Sequence, residues 1–190
     1  MEPEILFYLL PLAVVYFWYA GIIGKKNKVL EALSSIDVQL KKRSNLIPNI
    51  LAIAKKFMNH EAELLTQITQ LRSDSTSQYS KSDSQAVANH LQKSEALAGK
   101  MGQLMVAVEN YPDLKSDQTM MQAMQTYNEV EGHISAARRF YNSAVTILNN
   151  SVQIFPGNLI AKLANATTMP FYEADEASKA PINASDILNS

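Results

Sequence analysis

The chain has 190 residues, room for one domain and an anchor but not for two full domains. Its 17 basic and 18 acidic residues leave a formal net charge of −1, so no global field draws it to nucleic acid. The absence of cysteine removes disulfides, thiolate metal sites and a cysteine nucleophile, and the sparse punctuation of 6 glycines and 7 prolines favours long helices over a sheet.

Residues Ile5 to Ile23, ILFYLLPLAVVYFWYAGII, form an uncharged run of 19. A helix needs roughly 20 such residues to cross a hydrocarbon core of ~30 Å, so the run is expected to be a single-pass transmembrane helix. Pro11 is compatible with that, and Trp18 and Tyr19 fit an interfacial aromatic belt. A cleavable signal peptide fits poorly, because the preceding residues Glu2 and Glu4 are acidic and no small-residue cleavage site follows. A buried core helix fits less well still, since the run is apolar on every face. Lys25, Lys26 and Lys28 follow the run and nothing basic precedes it. The positive-inside rule therefore predicts an outside N-terminus and a cytoplasmic C-terminal part. Ala20 and Gly24 are a small-xxx-small pair of the kind that lets two anchors pack closely.

From Val29 the apolar residues recur every three or four positions. The series Leu33, Ile36, Leu40, Arg43, Ile47, Ile50, Ala54, Phe57, Glu61, Leu64, Ile68, Leu71 predicts one amphipathic helix, roughly 65 Å long and kinked at Pro48, with a coiled-coil-like seam. Residues 73–84, SDSTSQYSKSDS, read as a solubilising loop, and Gln85 to Asn110 as a second helix closed by Tyr111-Pro112-Asp113. A third helix begins near Ser116. Its seam is Met120, Met124, Tyr127, Glu131, Ile134, Arg138, Tyr141, Val145, Leu148, Val152, Phe155, and Pro156-Gly157 ends it. A short fourth helix follows from Asn158 to about Ala166. The expected fold is all-α: the transmembrane helix, then an elongated up-down bundle of three long helices and a short C-terminal one. The divisions are 1–24 (tail and anchor), 25–173 (bundle) and 174–190 (a loose tail with little periodicity).

Several of these segments carry a likeness to a known family. Ile36-Asp37-Val38-Gln39-Leu40-Lys41-Lys42-Arg43 with Leu46-Ile47-Pro48-Asn49 resembles the N-terminal signature of LemA proteins, and Tyr111-Pro112-Asp113-Leu114-Lys115 resembles their central turn. Ala137-Arg138-Arg139, Tyr141-Asn142 and Phe155-Pro156-Gly157-Asn158-Leu159-Ile160-Ala161 resemble their C-terminal signature. The likeness covers roughly 28–182. It departs after Ala161, where the family usually continues with a Gly-Phe element and this chain reads KLANATTMPFYE. The resemblance implies a bacterial, single-pass, helical membrane protein with no established enzymatic activity, in a family one branch of which is associated with building an intracellular membrane organelle.

Catalytic constellations are scarce. His60-Glu61 begins like a zinc-protease helix motif, but Leu64 stands where the second histidine belongs, so no two imidazoles share a face at i, i+4. His133 and Glu131 lie two apart and splay around a helix. Phosphate loops, nucleophile elbows and dinucleotide fingerprints are missing. No catalytic, cofactor-binding or metal residues are therefore expected, and no cofactor. Lys25, Lys26 and Lys28 are candidates to face lipid; Lys41, Lys42 and Arg43 lie well beyond the Debye length of ~8 Å and read as a solvated face. The eight methionines read mainly as core, since Met120 and Met124 fall on the seam. Charges inside a seam must pair, and the helix lengths favour Glu61 with Arg138, Arg139 being the substitute donor; the other register joins Arg43 to Glu131. The reading is a membrane-anchored helical scaffold whose partners are the lipid bilayer, a second copy of itself and other membrane or cytoplasmic proteins, with no nucleic acid. The alternatives are a membrane-shaping protein and a metal-dependent hydrolase using His60 and Glu61.

Overall fold

A computed structural model of the chain describes residues 3–58 and 60–173, with side chains from Leu10 onward. The described residues form six helices and no strand: α1 (Pro3–Ala54), α2 (Ala62–Ser75), α3 (Ser84–Val108), α4 (Pro112–Lys115), α5 (Gln118–Gln153) and α6 (Gly157–Leu163). The expected tail at 174–190 lies outside the described residues.

Helix α1 carries the chain across the expected 24/25 division without a break, and Pro48 lies inside it without ending it. Among the described residues no helix is long and apolar enough to cross a membrane; positions 5–9 of the expected span lie outside the residues whose side chains are described. Large apolar residues from Leu10 to Tyr19 are exposed, and burial begins at Ile22.

The single long helix expected over residues 29–71 is in fact two. After Ala54 the backbone tightens, with Lys56 N–H bonded to Ile53 O at 3.1 Å and Phe57 N–H to Ala54 O at 3.0 Å. Met58 plugs the turn as a buried residue, and α2 then folds back along α1, so that Arg72 Nε donates to Ser44 O at 2.7 Å. The apolar period does not register this reversal: Ile47, Ile50, Ala54, Met58 and Ile68 enter one core cluster from opposite sides of a hairpin.

Loop 76–83 continues down α1, and Asp83 caps α3 by accepting from Gln85 and Ala86 N–H. Helix α3 climbs beside α1. Pro112 opens α4 at the top, Asp117 caps α5 by accepting from Met120 N–H, and α5 descends the full length of the bundle against α1. The core has an upper cluster around Ile50, Met101, Leu104 and Met120, and a lower one around Leu33, Ile36, Val87, Tyr141 and Val145. Each fully buried Leu or Ile contributes about 1.5–3 kcal/mol of burial free energy. At the base, Ile22 packs on Ile160 and Ala161 of α6 and on Ala164 just after it. Phe155, expected on the α5 seam, is 73 % exposed, because α5 ends two residues earlier and the chain turns away.

After α6 the chain climbs back along α5 as a non-helical strap, 164–173, fixed by two asparagines. The Asn149 amide accepts from Met169 N and donates to Met169 O, both at 2.9 Å. The Asn142 amide does the same to Tyr172, at 2.8 and 3.0 Å. Seven residues of helix rise about 10.5 Å, and three residues of extended chain cover about 10 Å, so the spacing of the two amides matches that of Met169 and Tyr172. Tyr141 Oη adds a bond to Pro170 O at 2.9 Å.

Candidate functional site

Among the described residues, a group of titratable side chains gathers where α1, α3 and loop 76–83 meet. An open cleft of about 610 Å³ there is lined by Asp37, Lys41, Arg43, Arg72, Tyr79, Lys81 and His90, among others. Asp37 is its centre. Its carboxylate accepts from Tyr79 Oη at 2.8 Å, meets Lys81 Nζ at 2.6 Å and lies 3.4 Å from His90 Nε2. The Tyr79 ring stacks on the His90 imidazole with centroids 3.9 Å apart. Burial pushes the Asp37 carboxyl upward, but the opposing contacts with His90, Lys81 and Tyr79 outweigh it and hold the group below its ordinary value. Burial, and then the bond to anionic Asp37, pushes the Tyr79 phenol up.

Behind the cleft is Arg43, 1 % exposed. Its Nη2 donates to both the carbonyl and the hydroxyl oxygen of Ser94 at 2.7 Å, and its Nη1 to Glu131 Oε1 at 3.1 Å. A buried guanidinium needs that many acceptors to offset its lost hydration. The cations of the cleft are thus largely committed: Lys81 to Asp37, Arg43 to Ser94 and Glu131, Arg72 to Ser44. Asp37 gathers two donors, Tyr79 and Lys81, with His90 beside them, and Ser94 faces a guanidinium instead of an imidazole. This geometry ties α1, α3, α5 and loop 76–83 together.

The expected pair of Glu61 with Arg138 does not form. Glu61 falls in the α1–α2 turn and occupies the N-cap position of α2, because the helix breaks before it. Arg138 instead lies 3.7 Å from Glu95 of α3 and over the Tyr172 ring at 5.3 Å, and Arg139 Nη1 donates to Ser135 at 3.2 Å. The other register, Arg43 with Glu131, is the one present. His60 lies exposed in the α1–α2 turn and His133 exposed on α5; among the described residues no three His, Asp or Glu side chains gather as metal ligands. Arg43, read as part of a solvated face, is a core residue. Tyr79 and His90 carried no role in the sequence reading; the only signal was one aromatic residue in a loop of serines.

The three lysines after the apolar run each have a partner within the chain. Lys25 Nζ donates to Ser151 Oγ at 2.7 Å and Lys26 Nζ to Asn165 O at 3.0 Å, while Lys28 pairs with Glu31 at 2.9 Å and lies over the Phe140 ring at 5.2 Å.

The signature segments therefore sit at structural junctions: Asp37 and Arg43 at the cleft, the Tyr111-Pro112 turn at the top, Tyr141-Asn142 of α5 against the strap. The family model of the LemA family matches residues 32–185, most of the chain. The chain belongs to the LemA family. It is 27 % identical over 189 residues to Protein LemA of Metamycoplasma hominis, covering 97 % of this chain and 84 % of that one. It is also 29 % identical over 82 residues to magnetosome proteins MamQ 1 and MamQ 2 of Paramagnetospirillum magneticum, a match spanning 43 % of this LemA chain and 30 % of each of those.

Proposed function

We propose that this LemA protein is a membrane-tethered helical scaffold, held by the first part of α1 with its N-terminus outside and its bundle on the cytoplasmic face of a bacterial inner membrane. The observation that carries the reading is the exposed run Leu10, Leu12, Val14, Val15, Tyr16, Phe17, placed on all sides of a helix just below the first buried residue, Ile22. Water is a poor solvent for such a stretch, and hydrocarbon a good one. Lys25, Lys26 and Lys28 directly after the run support the orientation. The seams are spent on packing α1 against α5 within one chain, so self-association falls to Ala20 and Gly24, both exposed, with open space around Gly24.

A non-enzymatic role is supported by a polar cleft in which Lys81 is paired with Asp37 while Arg43 and Arg72 are bonded to Ser94, Glu131 and Ser44. The hydrolase alternative through His60 and Glu61 would require a metal. Metal analysis of the purified protein separates the two: stoichiometric zinc or iron would overturn the scaffold reading. Photocrosslinkers at the exposed positions Val106 and Met121 should capture a defined protein neighbour in cells; capture of none, from either position, would also contradict it. A second reading, a membrane-shaping protein, draws on the likeness to magnetosome proteins. It predicts altered membrane morphology on overexpression, lost when α1 begins at Gly21.

A further inference from the structure

At the lower end of the bundle, the corner between α5 and α6 leaves Ile154 63 % and Phe155 73 % exposed, and the outer face of α6 leaves Leu159 56 % and Leu163 74 % exposed. Leu159 and Leu163 are four residues apart and share a face. The opposite face of α6, with Ile160 and Ala161, is covered by Ile22 of α1. A short helix apolar on both sides needs a second cover.

The cover is indicated by what adjoins it. Phe17 and Trp18 of α1 line one groove of about 480 Å³ with Ile154 and Phe155, so the corner is continuous with the exposed apolar run of α1. Trp18 lies one turn, about 6 Å, below Ile22, so α6 stands at the height where that run ends. Charge agrees. Residues 5–30 and 154–172 contain no Asp or Glu, and they carry Lys25, Lys26, Lys28 and Lys162. Lys25 and Lys26 bond to Ser151 and Asn165, fixing the corner and the end of α6 rigidly to α1.

We propose that α6 and the Phe155 corner form a foot that enters the interfacial layer of the bilayer, with Phe155, Leu159 and Leu163 among the upper acyl chains and the lysines at the level of anionic headgroups. This rests on the proposed anchoring of α1 and goes beyond it: one helix alone leaves the bundle free to tilt, whereas a second contact to one side of it fixes the bundle's stance on the membrane.

The native chain lacks cysteine, so single-cysteine variants of the full chain take one spin label each. Leu12→Cys, Phe155→Cys, Leu159→Cys, Leu163→Cys and, at the distant tip, Met121→Cys are reconstituted in vesicles of phosphatidylcholine and phosphatidylglycerol, with circular dichroism confirming each fold. Collision with oxygen is compared with collision with a water-soluble nickel chelate. The foot predicts a deep lipid position for 12, shallow lipid positions for 155, 159 and 163, and water for 121. Labels at 155, 159 and 163 as aqueous as 121, with 12 in lipid, overturn the foot and leave the anchor standing. Labels there hidden from both reagents and broadened by a neighbouring spin overturn it in favour of an interface between two copies. A label at 12 in water removes the anchor, and the foot with it.

Discussion

Arg43 of α1 donates to Glu131 of α5 at 3.1 Å, the arginine 1 % exposed and the glutamate's side chain 30 %. The bond spans the longest interface of the bundle, and the same guanidinium holds Ser94 of α3, so one buried charge clamps three helices. Arg43→Ala is expected to destabilise the fold by about 3–5 kcal/mol, and Glu131→Ala by roughly 1.5–3 kcal/mol. The double variant Arg43→Met with Glu131→Leu should cost less than the sum of its two single changes in denaturant titration. Strict additivity would show that the two side chains are not coupled.

The strap is predicted to depend on two side-chain amides. Met169 and Tyr172 N–H donate to Asn149 and Asn142, and those protons should exchange with solvent slowly. Asn142→Ala and Asn149→Ala each remove two hydrogen bonds, at about 0.5–1.5 kcal/mol apiece. Hydrogen exchange should then quicken over 166–173 while α1 and α5 keep their protection. Unchanged exchange at Met169 in Asn149→Ala would mean that apolar packing alone holds the strap.

Acid should loosen the cleft. A carboxyl whose folded value lies below its ordinary 3.8 stabilises the fold while ionised, and that contribution is lost as pH falls through the folded value. Asp37→Asn is therefore expected to be less stable than the native chain at neutral pH, with the difference closing below about 3.8. Lys81, His90 and Tyr79 face Asp37 directly, with Lys41 and Arg43 in the same cleft. A stability gap independent of pH would assign the loss to shape instead of charge.

Gly157 is required by a close approach. A Cβ there would run into the backbone carbonyl oxygen of Ser151, which cannot swing aside as a side chain can. Gly157→Ala should destabilise by more than the ~1 kcal/mol of an average point substitution and displace α6 from Ile22. An alanine variant as stable as the native chain, with the same protection at Ile160, would contradict the tight corner.

Much of this fold is legible because burial is periodic. Leu33, Ile36, Ile47, Ile50, Tyr141 and Val145 all lie in the core where their spacing puts them. The reversal after Ala54 is not legible, since a helix that folds back on itself can keep the same three-and-four spacing with Leu64 and Ile68 facing the core from the other side. That reversal decides the ion pairs: with Glu61 removed to a turn, Arg138 takes Glu95 and Arg43 takes Glu131. The strap escapes pattern reading for a different reason. Its partners are two polar side chains seven residues apart on a helix, and hydropathy treats Asn142 and Asn149 as solvated.

Alkaline carbonate extraction of membranes from cells making the full chain tests most directly where the first part of α1 resides. The native protein is predicted to stay in the membrane pellet, and a variant carrying Leu12→Lys and Val15→Lys to pass into the supernatant. Release of the native protein by carbonate would contradict the anchor.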